Sequence, residues 1–448
     1  MRTTARTSQG ELRGRVEDGL VVFRGVRYAE VERFRPPRPV PAWTGVREAL
    51  VDGPIAPQRP SRLEHVMGAP EPHDQAEDCL SLTITTPGVD DAARPVLVWL
   101  HGGAFLSGAG SWRWYGGHRL AREGDVVVVG VNYRLGALGY LRSPGLSEGN
   151  LGLRDQIAAL RWVRDNIAAF GGDPSTVTVV GQSAGAHSVA CLLGIPEARS
   201  LFRRAILQSP PMGLGLGDPR RARRSAERFL AGLASDPRTA EIPAILDAQQ
   251  RVLRRQSGPL GMNTAPPFMP VAGAGVLPDR ARWWEHVVRT APDLDVILGW
   301  TGREMGAFYT TNPTFQRLRQ IPTYGPRAAD AVGEAVGSAV FARPTLRLAS
   351  RLSAVGARVW AYQFDYAPAG SPFGACHCLE LPLLFGTDAD WADAPMLTGA
   401  DPAEIADLGR RLRASWLSFA RTGKPETDAD LPWPEHTPTT RAVRHWSS

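Results

Sequence analysis

The sequence predicts an α/β protein with a mostly parallel central sheet that is flanked by helices. Short apolar runs of strand length alternate along the chain with segments of helical periodicity, which is the pattern of an α/β sheet. Neither an internal repeat nor a low-complexity linker interrupts this pattern, and 43% of the 448 residues are hydrophobic. A chain of this size can bury a large core, and we expect one domain over residues 1–448.

The predicted strands are short apolar runs, some of them dominated by β-branched residues. Continuous apolar runs of this kind are typical of parallel strands that are covered on both faces of the sheet. In chain order, the runs lie at residues 95–100, 125–131, 176–180, 204–208, 296–299 and 359–364.

Helices are predicted between and after these strands. Apolar residues recur at helical spacing over residues 153–170, and the pair Gly171-Gly172 ends that helix. Residues 186–193 continue as a helix after the third strand, and residues 405–420 form an amphipathic helix. The segment 213–292 is mostly helical with glycine- and proline-rich interruptions. We expect this segment to be a cap-like insertion over a site on the sheet.

Composition and charge favour no macromolecular partner. The formal net charge is +6, but almost every basic residue is arginine and no run of five or six basic residues occurs. The densest basic stretch, residues 220–224, is interpreted as the solvated face of a helix, and we expect no nucleic-acid partner. No apolar stretch is long enough to span a membrane, and the N-terminus lacks the apolar core of a signal peptide. With only four cysteines, the chain is expected to be cytoplasmic.

A candidate nucleophile lies where the third strand meets the following helix. Residues 181–185 read Gly-Gln-Ser-Ala-Gly and fit the G-x-S-x-G elbow, with Ser183 at the turn. A sharp strand-to-helix turn exposes the serine hydroxyl and brings the backbone close together two residues to either side, where only glycine fits. A simple glycine-serine turn is the alternative. The β-branched strand before the motif and the helical segment after it favour the nucleophile.

A candidate oxyanion site follows the first predicted strand. Residues 101–105 read His-Gly-Gly-Ala-Phe, and a glycine-rich turn at this place can offer backbone N–H groups to a negatively charged oxygen. Small residues are needed there because a side chain would block the substrate carbonyl. The alternative is an ordinary Gly-Gly turn at the end of a strand.

Several motifs, taken in order, resemble the type-B carboxylesterases, a family that includes the cholinesterases and bacterial p-nitrobenzyl esterases. The resemblance covers about residues 10 to 425. It rests on Phe-Arg-Gly-Val-Arg-Tyr-Ala at 23–29, Glu-Asp-Cys-Leu at 77–80, Gly-Gly-Asp-Pro at 171–174 and Phe-Ala-Arg-Thr-Gly at 419–423. The family has the α/β-hydrolase fold with helical cap insertions, and the resemblance implies the same fold here.

The resemblance also implies the remaining site residues. The catalytic acid is then Glu304, in Gly-Arg-Glu-Met-Gly at 302–306, and the base is His377, in Gly-Ala-Cys-His at 374–377. Glu380 has a structural role in the same motif. The implied oxyanion donors are the backbone N–H groups of Gly103, Ala104 and Ala184. Ser209 and Gln182 are implied to lie in the layer that surrounds the catalytic residues.

The expected function is hydrolysis of a small carboxylic ester through a covalent acyl-enzyme. The order Ser183, Glu304, His377 is that of an α/β-hydrolase triad, and the mechanism needs no metal or organic cofactor. Gln182 stands where many family members have glutamate, which disfavours cationic substrates and favours neutral esters with short or medium acyl chains. The protein is expected to be a monomer or a weak homo-oligomer.

Two other interpretations stay open at this point. The chain could be a non-catalytic, cholinesterase-like binding protein, but serine, acid, histidine and oxyanion glycine are all present. A metal site at Cys376-His377-Cys378 is disfavoured because adjacent residues of a strand point in alternate directions and no second cluster completes a tetrahedral set. Trp112, Trp114 and Tyr115 are expected either to line the pocket or to have only packing and surface roles.

Overall fold

The computed structural model describes residues 1–257, 265–425 and 432–447. Its strands are, in chain order, β1 (Thr4–Arg6), β2 (Glu11–Arg13), β3 (Arg15–Glu17), β4 (Leu20–Arg27), β5 (Val46–Glu48), β6 (Ser81–Thr86), β7 (Arg94–Leu100), β8 (Val127–Val131), β9 (Arg142–Ser143), β10 (Ser147–Glu148), β11 (Gly172–Gln182), β12 (Arg204–Gln208), β13 (Asp295–Thr301), β14 (Arg358–Phe364) and β15 (Arg444–Trp446).

The α-helices of the described residues include four of only four residues each. In chain order they are α1 (Glu64–Met67), α2 (His118–Gly124), α3 (Gly136–Tyr140), α4 (Leu151–Asn166), α5 (Ala184–Leu193), α6 (Pro196–Arg199), α7 (Pro219–Leu230), α8 (Ile242–Gln256), α9 (Arg280–Thr290), α10 (Gly306–Tyr309), α11 (Pro313–Arg319), α12 (Gly325–Gly337), α13 (Arg343–Ala354), α14 (Leu381–Leu384) and α15 (Pro402–Thr422). No helix of the described residues is long and apolar enough to cross a membrane.

One sheet of ten strands organises the molecule, in the order β15-β14-β13-β12-β11-β7-β8-β6-β4-β3. The strands from β15 to β8 are parallel to their neighbours, whereas β6, β4 and β3 join one edge in antiparallel pairing. The mostly parallel sheet is therefore confirmed. Because parallel strands end at the same edge, the carboxyl ends of β7, β11 and β13 bring distant parts of the sequence together.

Each of the predicted strands is confirmed, with some differences at the ends. The second predicted strand begins at Val127 rather than Asp125, because Asp125 adopts a left-handed conformation (φ 45°, ψ 54°) that ends α2. The predicted helix at 153–170 is α4 followed by a 3₁₀ turn over Ile167–Phe170, and Gly171 ends it with φ 79°. The basic stretch lies on α7, where Arg220, Arg223 and Arg224 are exposed, in agreement with a solvated face.

Helices cover the sheet edge in two insertions. Between β12 and β13, within residues 213–292, lie α7, α8 and α9, and part of this predicted insertion, 258–264, lies outside the described residues. A second group, α10 to α13, lies between β13 and β14 and was not predicted from the sequence. A π-helical segment, Ser338–Ala342, joins α12 to α13 and carries Phe341 toward the candidate site.

Candidate active site

Ser183 lies at a tight turn between the end of β11 and the start of α5. Its backbone has φ 53° and ψ −118°, a conformation that L-residues rarely adopt and that costs about 1–3 kcal/mol. A Cβ at Gly185 would lie 1.9 Å from the carbonyl oxygen of Leu100, and one at Gly181 would lie 2.5 Å from the backbone of Gly185. Both glycines of the motif are therefore required by close backbone approach, as the elbow interpretation expects.

His377 and Glu304 form a buried pair at the same edge of the sheet. Nδ1 of His377 lies 2.5 Å from Oε2 of Glu304, and both residues are buried. The other carboxylate oxygen of Glu304 accepts a hydrogen bond of 2.9 Å from the backbone N–H of Thr301. The carboxylate is thus held from both sides and favours the tautomer of His377 that carries its proton on Nδ1. Nε2 is then left as a hydrogen-bond acceptor.

In this structure the side chain of Gln182 is hydrogen-bonded to Nε2 of His377. Its side-chain Nε2 lies 3.1 Å from Nε2 of His377, so the amide donates to the imidazole. A contact between the Ser183 hydroxyl and His377 is not among the hydrogen bonds of the described residues. A Cβ at Gly102 would lie 2.6 Å from the Gln182 amide oxygen, so this glycine makes room for the glutamine side chain. The structure therefore places Gln182 against the histidine itself.

The predicted oxyanion donors converge beside Ser183. Gly103, Ala104 and Ala184 line the same cleft as the serine. None of their three N–H groups donates one of the backbone hydrogen bonds between described residues, so these donors stay available to a ligand. Gly103 has φ 106°, and a Cβ there would lie 1.9 Å from the carbonyl oxygen of Ser107, so no other residue fits.

Contacts between His101 and Tyr133 hold the start of the loop that carries Gly103 and Ala104. The His101 ring stacks on Tyr133 with 4.3 Å between ring centres, and the Tyr133 hydroxyl donates to the carbonyl oxygen of His101 over 2.6 Å. Burial lowers the pKa of His101 to about 4, so the ring is neutral near pH 7. These contacts hold the backbone at His101, directly before the glycine-rich turn.

The residues around His377 and Glu304 differ in part from those that the family resemblance implies. Ser209 is buried, but its Oγ has no partner among the described residues, so the structure does not bring it to the acid or the histidine. The residue before it, Gln208, donates instead to Glu380 over 2.8 Å, and the Tyr362 hydroxyl donates to the same oxygen over 3.1 Å. Burial, with Glu304 nearby, raises the pKa of Glu380 to about 8. Glu380 is thus largely protonated at neutral pH.

The cleft above Ser183 has an empty volume of about 1100 Å³, part of which is open solvent. Its walls are mainly apolar and come from the segment before α1, from the loop after β7 and from both helical insertions. They include Leu63, Phe105, Leu106, Leu214, Leu253, Phe308, Val340 and Phe341. The rings of Phe308 and Phe341 lie 5.2 and 5.1 Å from the His377 ring. Sequence patterns gave no signal for these two residues, because they lie in the unpredicted insertion.

The aromatic residues after the oxyanion loop have both expected roles. Trp112, Trp114 and Tyr115 are each 6% exposed and pack with one another and with neighbouring aromatic rings. They also line a narrow inner chamber that adjoins the cleft and is bordered by Gly103 and Gln182. The three side chains therefore pack in the interior and also give this inner chamber a mainly apolar lining.

The geometry gives little support to a metal site at His377. The neighbouring thiols are buried, which raises the pKa of Cys376 to about 12 and that of Cys378 well above its usual value. Thiols in this state are protonated, whereas metals bind the thiolate. Over the described ranges, no group of three or more His, Cys, Asp or Glu side chains is arranged to hold a metal ion.

Comparison with known proteins identifies the family. The model of the carboxylesterase family matches residues 2–323 and 322–447. A probable N-octanoylanthranilate hydrolase, AqdA2, of Rhodococcus erythropolis is 50% identical over 98% of this chain and 96% of its own length. The phenmedipham hydrolase of Pseudarthrobacter oxydans is 39% identical over 97% of this chain and 92% of its own.

Solved structures agree with the sequence relatives. A PNB esterase structure superposes with a TM-score of 0.86 at 32% identity, over 100% of this chain and 96% of that one. The resemblance drawn from the motifs is confirmed, and so is the α/β-hydrolase fold. The match along nearly the whole chain shows that this protein belongs to the carboxylesterase family and is a carboxylesterase.

Proposed function

We propose that the protein hydrolyses carboxylic esters through the triad Ser183, His377 and Glu304 and a covalent acyl-enzyme. The observation that carries the proposal is the buried pair of His377 and Glu304, 2.5 Å apart, near an elbow serine that lines the same cleft as the three backbone donors. A non-catalytic binding protein would have no need to keep these groups together.

In the first half of the reaction, Ser183 Oγ attacks the ester carbonyl carbon and its proton passes to Nε2 of His377. Glu304 stabilises the imidazolium through the proton on Nδ1. The carbonyl oxygen becomes negative and accepts hydrogen bonds from the oxyanion loop and the first N–H of α5. The tetrahedral intermediate collapses when the leaving alcohol takes the proton from Nε2. The acyl group stays bonded to the serine.

In the second half, water attacks the acyl carbon and gives its proton to Nε2 of His377. The acid is released when Ser183 Oγ takes that proton back.

Gln182 has to give up its hydrogen bond to Nε2 of His377 before Ser183 can form a hydrogen bond with that nitrogen. The exchange replaces one neutral hydrogen bond by another, so its net cost is about 1 kcal/mol or less.

The cleft suits neutral acyl chains of short or medium length. Its apolar walls would favour binding by about 0.8 kcal/mol for each methylene that leaves water. Since Gln182 rather than a carboxylate stands directly before the serine, this position offers no negative charge to a cationic substrate. These features support neutral or apolar esters over quaternary ammonium esters.

Hydrolysis of N-acyl aryl amines is a second candidate function. It is favoured by the relative that is 50% identical over 98% of this chain and is described as a probable N-octanoylanthranilate hydrolase. The same groups would serve, with His377 protonating an amine nitrogen in place of an alcohol oxygen. Ester and amide hydrolysis therefore differ here only in the leaving group.

The acyl-enzyme can be tested by covalent labelling. A p-nitrophenyl alkylphosphonate should add one phosphonyl group per chain, because Ser183 is the activated nucleophile. Intact-mass spectra and peptide mapping should place the adduct on Ser183. Ser183→Ala should not be labelled, whereas Ser209→Ala, which removes another buried serine, should be labelled as the wild type is. Labelling of the Ser183→Ala protein would contradict the assignment.

The preference against cations can be tested at Gln182. Wild type should hydrolyse 3,3-dimethylbutyl butyrate with a higher kcat/KM than butyrylcholine. In Gln182→Glu the ratio of kcat/KM for the neutral ester to kcat/KM for the choline ester should fall by about tenfold or more. Two unit charges about 4 Å apart attract by about 4 kcal/mol at an effective dielectric near 20. Gln182→Met is the matched control, since it loses the contact with His377 but adds no charge. A wild-type preference for the choline ester would contradict the prediction.

A further inference from the structure

Two spaces adjoin the proposed triad, and one of them is narrower than the other. Ser183 and Ala184 line the cleft, whereas Gln182 and Cys378 line the inner chamber. Gly103, one of the predicted oxyanion donors, lines both spaces. An ester whose carbonyl oxygen lies at these donors can therefore place one of its halves in each space.

The chamber begins beside the nitrogen that gives its proton to the leaving group. The side chain of Gln182 lies 3.1 Å from Nε2 of His377, and Gln182 also lines the chamber. Cys378 follows His377 in the chain and borders the same space. In the proposed mechanism the leaving atom has to approach Nε2. The leaving group then points toward the chamber, and the acyl chain is left to the wider cleft.

Cys378 brings a side chain to this end of the chamber at a conformational cost. Its φ is 78°, in the left-handed region that favours glycine, and no other non-glycine residue that lines the described part of the chamber has a positive φ. Burial raises the pKa of the thiol, and the nearby Gln182 side chain acts in the opposite direction. The thiol is therefore neutral and lies close to Gln182. A glycine would adopt the same backbone without strain and would leave the chamber wider.

The aromatic walls of the chamber are held by their own neighbours. Trp114 stacks on Trp391 with 5.2 Å between ring centres, and the ring of Tyr115 lies 5.2 Å from that of Trp99. Trp112 packs edge-to-face against Trp114 over 5.4 Å. Close-packed rings cannot move aside without losing contacts on their other faces. The width of the chamber next to His377 therefore depends on the Cys378 side chain more than on a shift of these rings.

We propose that the chamber receives the leaving alcohol or amine and that the Cys378 side chain limits how bulky this group can be. The inference rests on the proposed function, because it needs His377 to protonate the leaving atom. The enzyme then prefers substrates with a slender, apolar leaving group and accepts bulk on the acyl side. Cys378 acts as a specificity residue and takes no part in proton transfer.

The test compares n-butyl butyrate with 3,3-dimethylbutyl butyrate, which differ by two methyl groups on the leaving alcohol. Both are uncharged, so Glu64, the charged residue that lines the described part of the chamber, does not separate them. Wild type should have a kcat/KM for the n-butyl ester at least about tenfold above that for the branched ester, a usual level of discrimination by an apolar pocket. In Cys378→Gly this ratio should fall by at least about fivefold, and Cys378→Ala should give an intermediate ratio.

Two controls separate the role of Cys378 from other effects. Cys376→Ala removes the other buried thiol beside His377, which does not line the chamber, and should leave the ratio unchanged. The same bulk is then placed on the acyl side, in n-butyl pentanoate and n-butyl 4,4-dimethylpentanoate. These two esters should have similar kcat/KM values in wild type and in Cys378→Gly, because the cleft is wide.

Exclusion of the branched acyl chain in place of the branched alcohol would overturn the assignment of the two spaces. An unchanged alcohol ratio in folded Cys378→Gly and Cys378→Ala would overturn the role of Cys378. In either case Ser183-dependent turnover of n-butyl butyrate would leave the proposed function standing. If wild type hydrolysed neither the butyl esters nor p-nitrophenyl butyrate, the proposed function would fail and the role of Cys378 with it.

Discussion

Replacing Ser183 by alanine should lower kcat for p-nitrophenyl butyrate by about 10³-fold to 10⁶-fold while the fold is retained. The alanine methyl group cannot form the acyl-enzyme, so the remaining rate would come only from binding and from the N–H donors. Ser183 makes no side-chain hydrogen bond among the described residues, so its loss leaves no buried partner unsatisfied. Steady-state kinetics with far-UV circular dichroism would measure both effects.

Ser209→Ala is the matched control for this variant. Ser209 also follows directly on a strand, β12, and also has a positive φ, 47° against 53° for Ser183. Its hydroxyl is buried without a partner among the described residues, so its removal should change kcat by less than about tenfold. Full activity in Ser183→Ala would contradict the triad. A large loss in Ser209→Ala would show instead that the predicted support from Ser209 is made in the working enzyme.

The parallel part of the sheet could be predicted because its strands are buried on both faces. Val127, Val129 and Val131 of β8, for example, are fully buried, and such strands read as unbroken apolar runs. The strands β4 and β6 were not predicted, although β4 carries the apolar run from Leu20 to Phe23. Residues 23–29 match a family motif, which does not by itself define a strand. The strand β15 has three residues, too few for a pattern.

The second helical insertion could not be predicted for a different reason. The α12 segment is rich in alanine and glycine, which are compatible with a helix but mark no apolar face clearly. The insertion as a whole contacts the site through Phe308 and Phe341, whose rings lie against His377. No local pattern contains such contacts. The wall of the cleft that comes from this insertion is therefore not predictable from local sequence patterns.

Within the site, local chemistry decided what could be predicted. The elbow and the oxyanion loop follow from glycines at fixed positions, and the structure explains those glycines by close backbone approach. Glu304 and His377 came from the family resemblance, since 73 positions separate them. The contact of Gln182 with His377 spans 195 positions and has no signal in the sequence. Gln182 was expected to act through its missing charge, and the structure adds a direct hydrogen bond.

Replacing Glu304 by glutamine should lower kcat by about 10⁴-fold, because it would place the proton on the wrong nitrogen of His377. The N–H of Thr301 donates to one carboxylate oxygen over 2.9 Å and would select the amide oxygen in the variant. The amide NH₂ would then point at Nδ1 and require a lone pair there. His377 would carry its proton on Nε2 and could not accept the proton of Ser183.

Glu380→Gln tests whether the loss of kcat is specific to Glu304 or follows from replacing any buried carboxyl group nearby. Glu380 accepts both of its hydrogen bonds on one oxygen, which an amide oxygen can also do. Because the pKa of Glu380 is raised to about 8, the wild-type group is already largely neutral at pH 7, and the variant removes little charge. Its kcat should stay within about tenfold of wild type. If both variants lost activity equally, the cause would be the buried carboxyl cluster as a whole, and Glu304 would have no separate role as the acid that orients His377.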